Sequence, residues 1–221
     1  MSVLVLIPLW LTLKVALLAT LIAGLAGIGL AWWLSRSQFP GKGLLDSILV
    51  LPMVLPPTVI GYYLIVLIGR NGVLGRYLND WLGINLMFTW QGAVIAASVV
   101  SLPLVYKGAR AAFEEVDARF ANAARTLGAG EFEVFLRIAL PLAIRGITAG
   151  LMLSFARAMG EFGATLMIAG NLPGRTQTLS IAVYEAVQAG DDTRALWLTL
   201  IISLVCMVVL VVSGRLLQAK H

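Results

Sequence analysis

Five stretches of the chain are long, apolar and almost free of charge: 11–34, 47–68, 86–106, 146–169 and 195–214. An α-helix rises about 1.5 Å per residue, so about 20 apolar residues cross a hydrocarbon core. The pattern therefore predicts five transmembrane helices. The segment between the third and fourth, 107–145, is far more polar. Within it Ala109, Ala112, Phe113, Val116, Phe120, Ala123, Ala124 and Leu127 recur every three or four positions, with Glu114, Glu115, Asp117, Arg119 and Arg125 between them. That spacing predicts one amphipathic helix. Gly128 suits the left-handed position that ends a helix, and Glu131 and Glu133 fall in the first turn of a second, where the macrodipole favours acids. Phe132, Phe135, Leu136 and Ile138 give the second helix its apolar face, and Pro141 predicts a break before the next span. The segment reads as a helix-turn-helix.

Two spans carry irregularities. In LPMVLPP, residues 51–57, Pro56 and Pro57 each remove an amide donor and crowd the preceding turn, which excludes a straight helix. The bend is either a packed kink or the lining of a pathway, because irregular backbone survives at membrane depth only against protein or a water-filled cavity. In the fourth span Arg157 and Glu161 lie four apart, on one helix face. They are a bracing ion pair or part of a translocation path, and Gly160 and Gly163 beside Glu161 permit bending. The small residues Ala23, Gly27 and Ala31, with Gly24 and Gly29, allow close approach of a second helix. Lys14, near the end of the first span, can extend its ammonium to the interface.

Composition excludes a soluble globule: 60% of the 221 residues are hydrophobic and 12% charged, with a mean hydropathy of +0.93. The formal charge of +5 is read as topology, since basic residues gather in cytoplasmic loops. With five crossings and the N-terminus outside, Arg36, Lys42, Lys107, Arg110, Arg119, Arg125, Arg137, Arg145, Arg215 and Lys220 face the cytoplasm. Only Arg70, Arg76, Arg175 and Arg194 face out. The C-terminus is then cytoplasmic, and no partner nucleic acid is implied. The single cysteine, Cys206, permits no intrachain disulfide, and no metal set is expected; the single histidine, His221, is terminal and is set aside. Gly41-Lys42 is followed by Gly43 and not by Ser or Thr, so no phosphate-binding loop exists and ATP is not expected on this chain. No acid–base pair for a membrane enzyme assembles from these residues. An ion-coupled carrier would show paired broken helices, and only one proline-broken span is present; a passive channel remains the competing class.

The stretch NAARTLGAGEFEVFLRIALP, 122–141, resembles the coupling motif of bacterial ABC importer permeases, Glu-Ala-Ala, three residues, Gly, nine residues, Ile-x-Leu-Pro. Ala123, Ala124, Gly128, Ile138, Leu140 and Pro141 match in register. Asn122 replaces the usual glutamate, and Arg125, Thr126 and Leu127 complete the knob. The segments FPGKGLLDSILVLPMVLPPTVIGYYL (39–64), SFARAMGEFGATLMIAGNLPGRTQTL (154–179) and YEAVQAGDD (184–192) are similar to molybdate permease subunits, with sulfate and thiosulfate permeases similar in the first two. The resemblance implies an all-α membrane protein of the ABC importer permease type, a transport subunit and not an enzyme, in a bacterial or archaeal cytoplasmic membrane. It further implies a homodimer, two cytosolic ATPase subunits that hold ATP and Mg, an external substrate-binding protein and an oxyanion substrate. Alternating access follows, with Asn122 to Gly128 as the ATPase-coupling knob and Arg157, Gly160, Glu161, Gly163, Pro56 and Pro57 as pathway or gate candidates. Five spans leave little room for a pore within one chain, which favours a two-fold interface.

Overall fold

A computed structural model describes the backbone of residues 2–218 and the side chains of 5–212 and 214; Lys220, His221 and the side chain of Arg215 lie outside the described residues. All regular structure among them is helical. In order come α1 (Ser2–Arg36), α2 (Lys42–Val54), α3 (Pro57–Ile68), α4 (Val73–Leu82), α5 (Trp90–Glu115), α6 (Ala118–Thr126) and α7 (Glu131–Val134). After them come α8 (Leu140–Met159), α9 (Gly163–Ala169), α10 (Leu179–Gln188) and α11 (Asp192–Gln218). Four helical stretches are long and apolar enough to cross a membrane: Val5–Arg36, Trp90–Glu115, Glu131–Met159 and Asp192–Val212. The pair α2 and α3 makes five if counted as one broken span, bent by 116° at the prolines.

Helix α5 is the hub, flanked by α1, α8, α9 and the α2–α3 pair. Its partners approach closely because the contacting residues are small, which substitutes for the hydrophobic drive that lipid cannot supply. Along α1, Ala19, Ala23 and Ala31 are fully buried. A β-carbon on Gly27 would come 3.2 Å from the Tyr106 amide nitrogen, whereas one on Gly29 would meet open space. Across the α5–α8 crossing, a β-carbon on Gly146 would lie 2.6 Å from the Ala112 β-carbon, and one on Gly150 3.1 Å from the Leu104 carbonyl oxygen. Large apolar side chains instead point outward, among them Leu17, Leu21 and Leu25 on α1 and Leu200, Leu204 and Met207 on α11, as expected where lipid is the solvent. Cys206 is half-buried against the cluster of Val15, Ala16, Ala93 and Ala97. The Lys14 ammonium lies over the Trp90 ring, 3.4 Å from its centroid.

Three helix boundaries depart from the sequence pattern. The amphipathic helix expected from Ala109 to Leu127 is split, because the Asp117 carboxylate accepts the Arg119 amide at 2.9 Å and starts α6 afresh. Ala109, Ala112 and Phe113 therefore belong to α5. Pro141 does not break the chain: Glu131–Met159 is one continuous helix, with a π turn over Phe135–Ala139 just before the proline. The wider turn relieves the clash of the ring with the carbonyl four residues earlier. The fourth span, expected over 146–169, ends instead at Met159 and is followed by the separate α9. Glu161 Oε1 accepts the Ala164 amide at 2.9 Å and caps that new helix.

Candidate functional site

At one end of the bundle α6, the turn after it and α7 form a projecting knob. Asn122, Ala123, Arg125, Thr126, Leu127 and Gly128 are exposed and Ala124 is half-buried. Leu127 is 88% exposed and Phe132 74%, an apolar tip unusual for a surface that nothing covers. Gly128 has φ +88. Its amide donates to Arg125 O at 3.0 Å and the Ala129 amide to Ala124 O at 3.0 Å, the paired C-terminal bonds that a left-handed residue permits. Ile138 and Leu140 are half-buried and Pro141 exposed at the root of the knob. Arg119 also binds Asp117 through its side chain, and that hydrogen bond holds the Asp117 carboxyl below its usual range.

The knob is fastened to α1. Arg125 donates to both carboxylate oxygens of Glu131, at 2.6 and 3.2 Å, and to Asn122 Oδ1 at 2.8 Å. The Glu131 carboxylate also accepts from Arg36 at 3.2 Å, and the Arg36 guanidinium lies over Trp32, 3.6 Å from the ring centroid. Trp32 in turn meets Phe113 and Phe135 with centroids 5.2 Å away in each case. Glu131, and not residue 122, is thus the acid that pairs with Arg125. Beside this clamp, the Asp46 carboxylate ties α2 to α5: it accepts the Tyr106 hydroxyl at 2.7 Å and Arg110 at 2.5 Å, with Lys107 at 3.5 Å. A groove of about 910 Å³ opens between α5 and α8 at this end, its wall including Lys107, Glu115, Asp117 and Arg145.

At membrane depth Arg157 and Glu161 do meet, Nη1 to Oε2 at 2.8 Å. Glu161 is 3% exposed, while the half-buried Arg157 is, among the described residues, the only charged one lining a cavity of about 260 Å³ with Pro52, Pro57, Val100 and Leu104. The structure therefore brings Arg157 to the α2–α3 bend. Gly163 joins them, since its β-carbon would sit 3.0 Å from Pro57. Pro56 is exposed and does not line this cavity, and Gly160 is exposed at the end of α8. Phe162 follows Glu161 and packs against Tyr184 of α10, ring centroids 5.1 Å apart.

A charged knob at one end, a proline-broken helix beside an intramembrane arginine, and an apolar exterior define a membrane transport subunit. The chain belongs to the family of binding-protein-dependent transport system inner membrane components, whose model matches residues 4–220. It is therefore an ABC-type permease of the inner membrane. It is 49% identical over 212 residues, 96% of this chain and 93% of the relative, to the molybdenum transport system permease protein ModB of Escherichia coli K12. The ModB of Haemophilus influenzae is 42% identical over 95% of this chain and 93% of its own. More distant is the sulfate transport system permease protein CysW of Synechocystis, 36% identical over 94% of this chain and 75% of that protein. Among solved structures, the inward-facing MetNI methionine ABC transporter superposes with a TM-score of 0.72 at 16% identity, over 99% of this chain and 96% of that one. A bacterial alginate ABC importer gives 0.72 at 16% identity, over 98% and 79%. These two share the fold.

Proposed function

We propose that the chain is the membrane half of an ATP-driven importer that carries molybdate inward by alternating access. The observation that carries the reading is identity to molybdenum permeases along nearly the whole chain, 49% over 96% of it. The site's geometry supports it. Ala123 to Gly128 form the exposed knob that docks a cytosolic ATPase subunit, and the Glu131–Arg36 contact passes its motion to α1. The ATPase subunits hold ATP and Mg; two of them serve two copies of this chain, with the pathway at the two-fold axis. The knob then lies in the cytoplasm with the C-terminus, and the N-terminus lies outside, where a substrate-binding protein delivers the anion.

Arg157, Glu161, Gly160, Gly163, Pro56 and Pro57 form the gate region. A charge at the bilayer centre costs about 2.5–3.5 kcal/mol on insertion scales, and the Arg157–Glu161 pair lowers that cost while leaving the guanidinium on the cavity. Being neutral overall, the pair holds an anion weakly, as a conduit must. The test is reconstitution of the chain with its ATPase subunits and binding protein in liposomes. ATP-dependent molybdate uptake, stimulated by loaded binding protein and resistant to excess sulfate, is the expected result. Anion flux without ATP overturns the reading in favour of a channel, and preference for sulfate reassigns the substrate.

A further inference from the structure

Helix α5 ends at the knob, so the segment before Trp90 lies at the opposite end of the bundle. There a cavity of about 680 Å³ opens between the end of α3 and the run into α5. Its polar side chains are Arg70, Asn71 and Asn85, and no carboxylate among the described residues lines it. The chain that shapes it is tightly turned: the Gly69 amide donates to Ile65 O at 2.8 Å and the Gly72 amide to Gly69 O at 2.7 Å. A β-carbon on Gly72 would lie 2.6 Å from the Val66 carbonyl oxygen, and one on Gly69 would collide with that of Ile65. The opposite wall is fixed as well. Phe88 holds φ +59, its amide donating to Ile168 O at 2.9 Å.

The chemistry of the lining has one sign. Asn85 Oδ1 already accepts the Met87 amide at 3.0 Å, which leaves its NH2 as the end with donors to offer. The side chains of Arg70 and Asn71 have no hydrogen-bond or ion-pair partner among the described residues. A planar guanidinium and amide donors, with no acid to neutralise them, match a ligand rich in acceptor oxygens and negative charge. Arg70 is exposed, so its attraction is screened over about 8 Å at physiological salt, which suits a site that must release what it catches. From Gly69 to Pro57, which lines the Arg157 cavity, the path follows the 12 residues of α3, about 18 Å at helical rise.

We propose that Arg70, Asn71 and Asn85 form an outer reception site for a tetrahedral oxyanion, which catches the anion before it reaches Arg157. The proposal rests on the oxyanion-importer reading. The test uses the complete transporter in liposomes, measuring molybdate uptake and ATP hydrolysis on the same samples. Arg70→Gln is expected to lower molybdate taken up per ATP roughly tenfold, the worth of one hydrogen bond to a charged group, while stimulation of hydrolysis by loaded binding protein persists. Arg70→Lys is expected to keep most of the uptake, Asn71→Ala to give a smaller loss, and raised salt to narrow the gap between the native protein and Arg70→Gln. Unchanged uptake per ATP in Arg70→Gln overturns the proposal. So does a parallel loss of uptake and of stimulated hydrolysis, which would make Arg70 a contact for the binding protein. If the native protein imports no oxyanion, the importer reading itself falls and the site falls with it.

Discussion

Replacing Gly128 isolates one physical quantity, because a β-carbon there meets nothing within 4 Å yet the backbone stands at φ +88. Any cost is conformational. For an L-residue the left-handed region costs roughly 1–2 kcal/mol, less for asparagine, and more for a β-branched side chain. No packing surrounds this exposed turn to absorb the strain, so the loss appears as fewer molecules with the Gly128–Arg125 and Ala129–Ala124 bonds intact. At 1.4 kcal/mol per factor of ten, Gly128→Ala should raise the concentration of ATPase subunit needed for half-maximal complex formation by roughly 5- to 30-fold. Gly128→Asn should cost less and Gly128→Val more. Gly130 is the control: space is equally open there, but its φ of −72 with ψ 163 suits any residue, so Gly130→Ala should bind as the native chain does. The assay is titration of purified variants in detergent with the ATPase subunit, read as complex on a sizing column. Native affinity in Gly128→Val, or equal losses at positions 128 and 130, would refute the reasoning.

Gly146→Ala should destabilise the detergent-purified protein by about 1–3 kcal/mol through overpacking, whereas Gly29→Ala should stabilise it by up to about 1 kcal/mol; thermal unfolding of the two variants gives opposite signs. Asp46→Ala should loosen α2 by about 1–2 kcal/mol, since it strips the acceptor from Tyr106 and Arg110 in a partly solvated site. Asp46→Asn keeps one acceptor and should lose about half as much, measured as protease sensitivity of the 37–41 connection. Glu161→Gln keeps an oxygen to cap α9 but removes the counter-charge from Arg157. It should unfold at a lower temperature, because the intramembrane guanidinium loses its neutralising partner, and the folded molecules should hold molybdate more tightly and transport more slowly; a native uptake rate per folded molecule would remove Glu161 from the gate.

What was legible in the sequence is what depends on neighbours a few residues apart. The left-handed Gly128, the Arg157–Glu161 contact and the close approach at Gly27 all follow from helical spacing or from the absence of a side chain. Contacts that join distant segments carried no local signal: Asp46 to Tyr106 spans 60 residues and Arg36 to Glu131 spans 95. The hint for Asp46 was an isolated acid opening an apolar run, and for Glu131 an arginine already spaced to meet it. Pro141 misled because its helix widens to a π turn, a device that propensity does not describe. The proline pair predicted a bend but not its size, 116°, nor what packs against the elbow. That packing comes from Gly163 on α9, a hundred residues further along the chain.

The same elbow constrains how the protein is made. Helices α2 and α3 have 13 and 12 residues, about 20 and 18 Å long, so neither alone crosses a hydrocarbon core of about 30 Å. The bed for α3 includes α9, where a β-carbon on Gly61 would lie 2.7 Å from Met167. Translation proceeds at about 5–20 residues per second, so α3 leaves the ribosome roughly 5–20 s before its seat on α9 exists. During biogenesis the proline elbow must wait, sheltered by the insertion machinery or by α5, and its packing is completed only when α9, Gly163–Ala169, arrives.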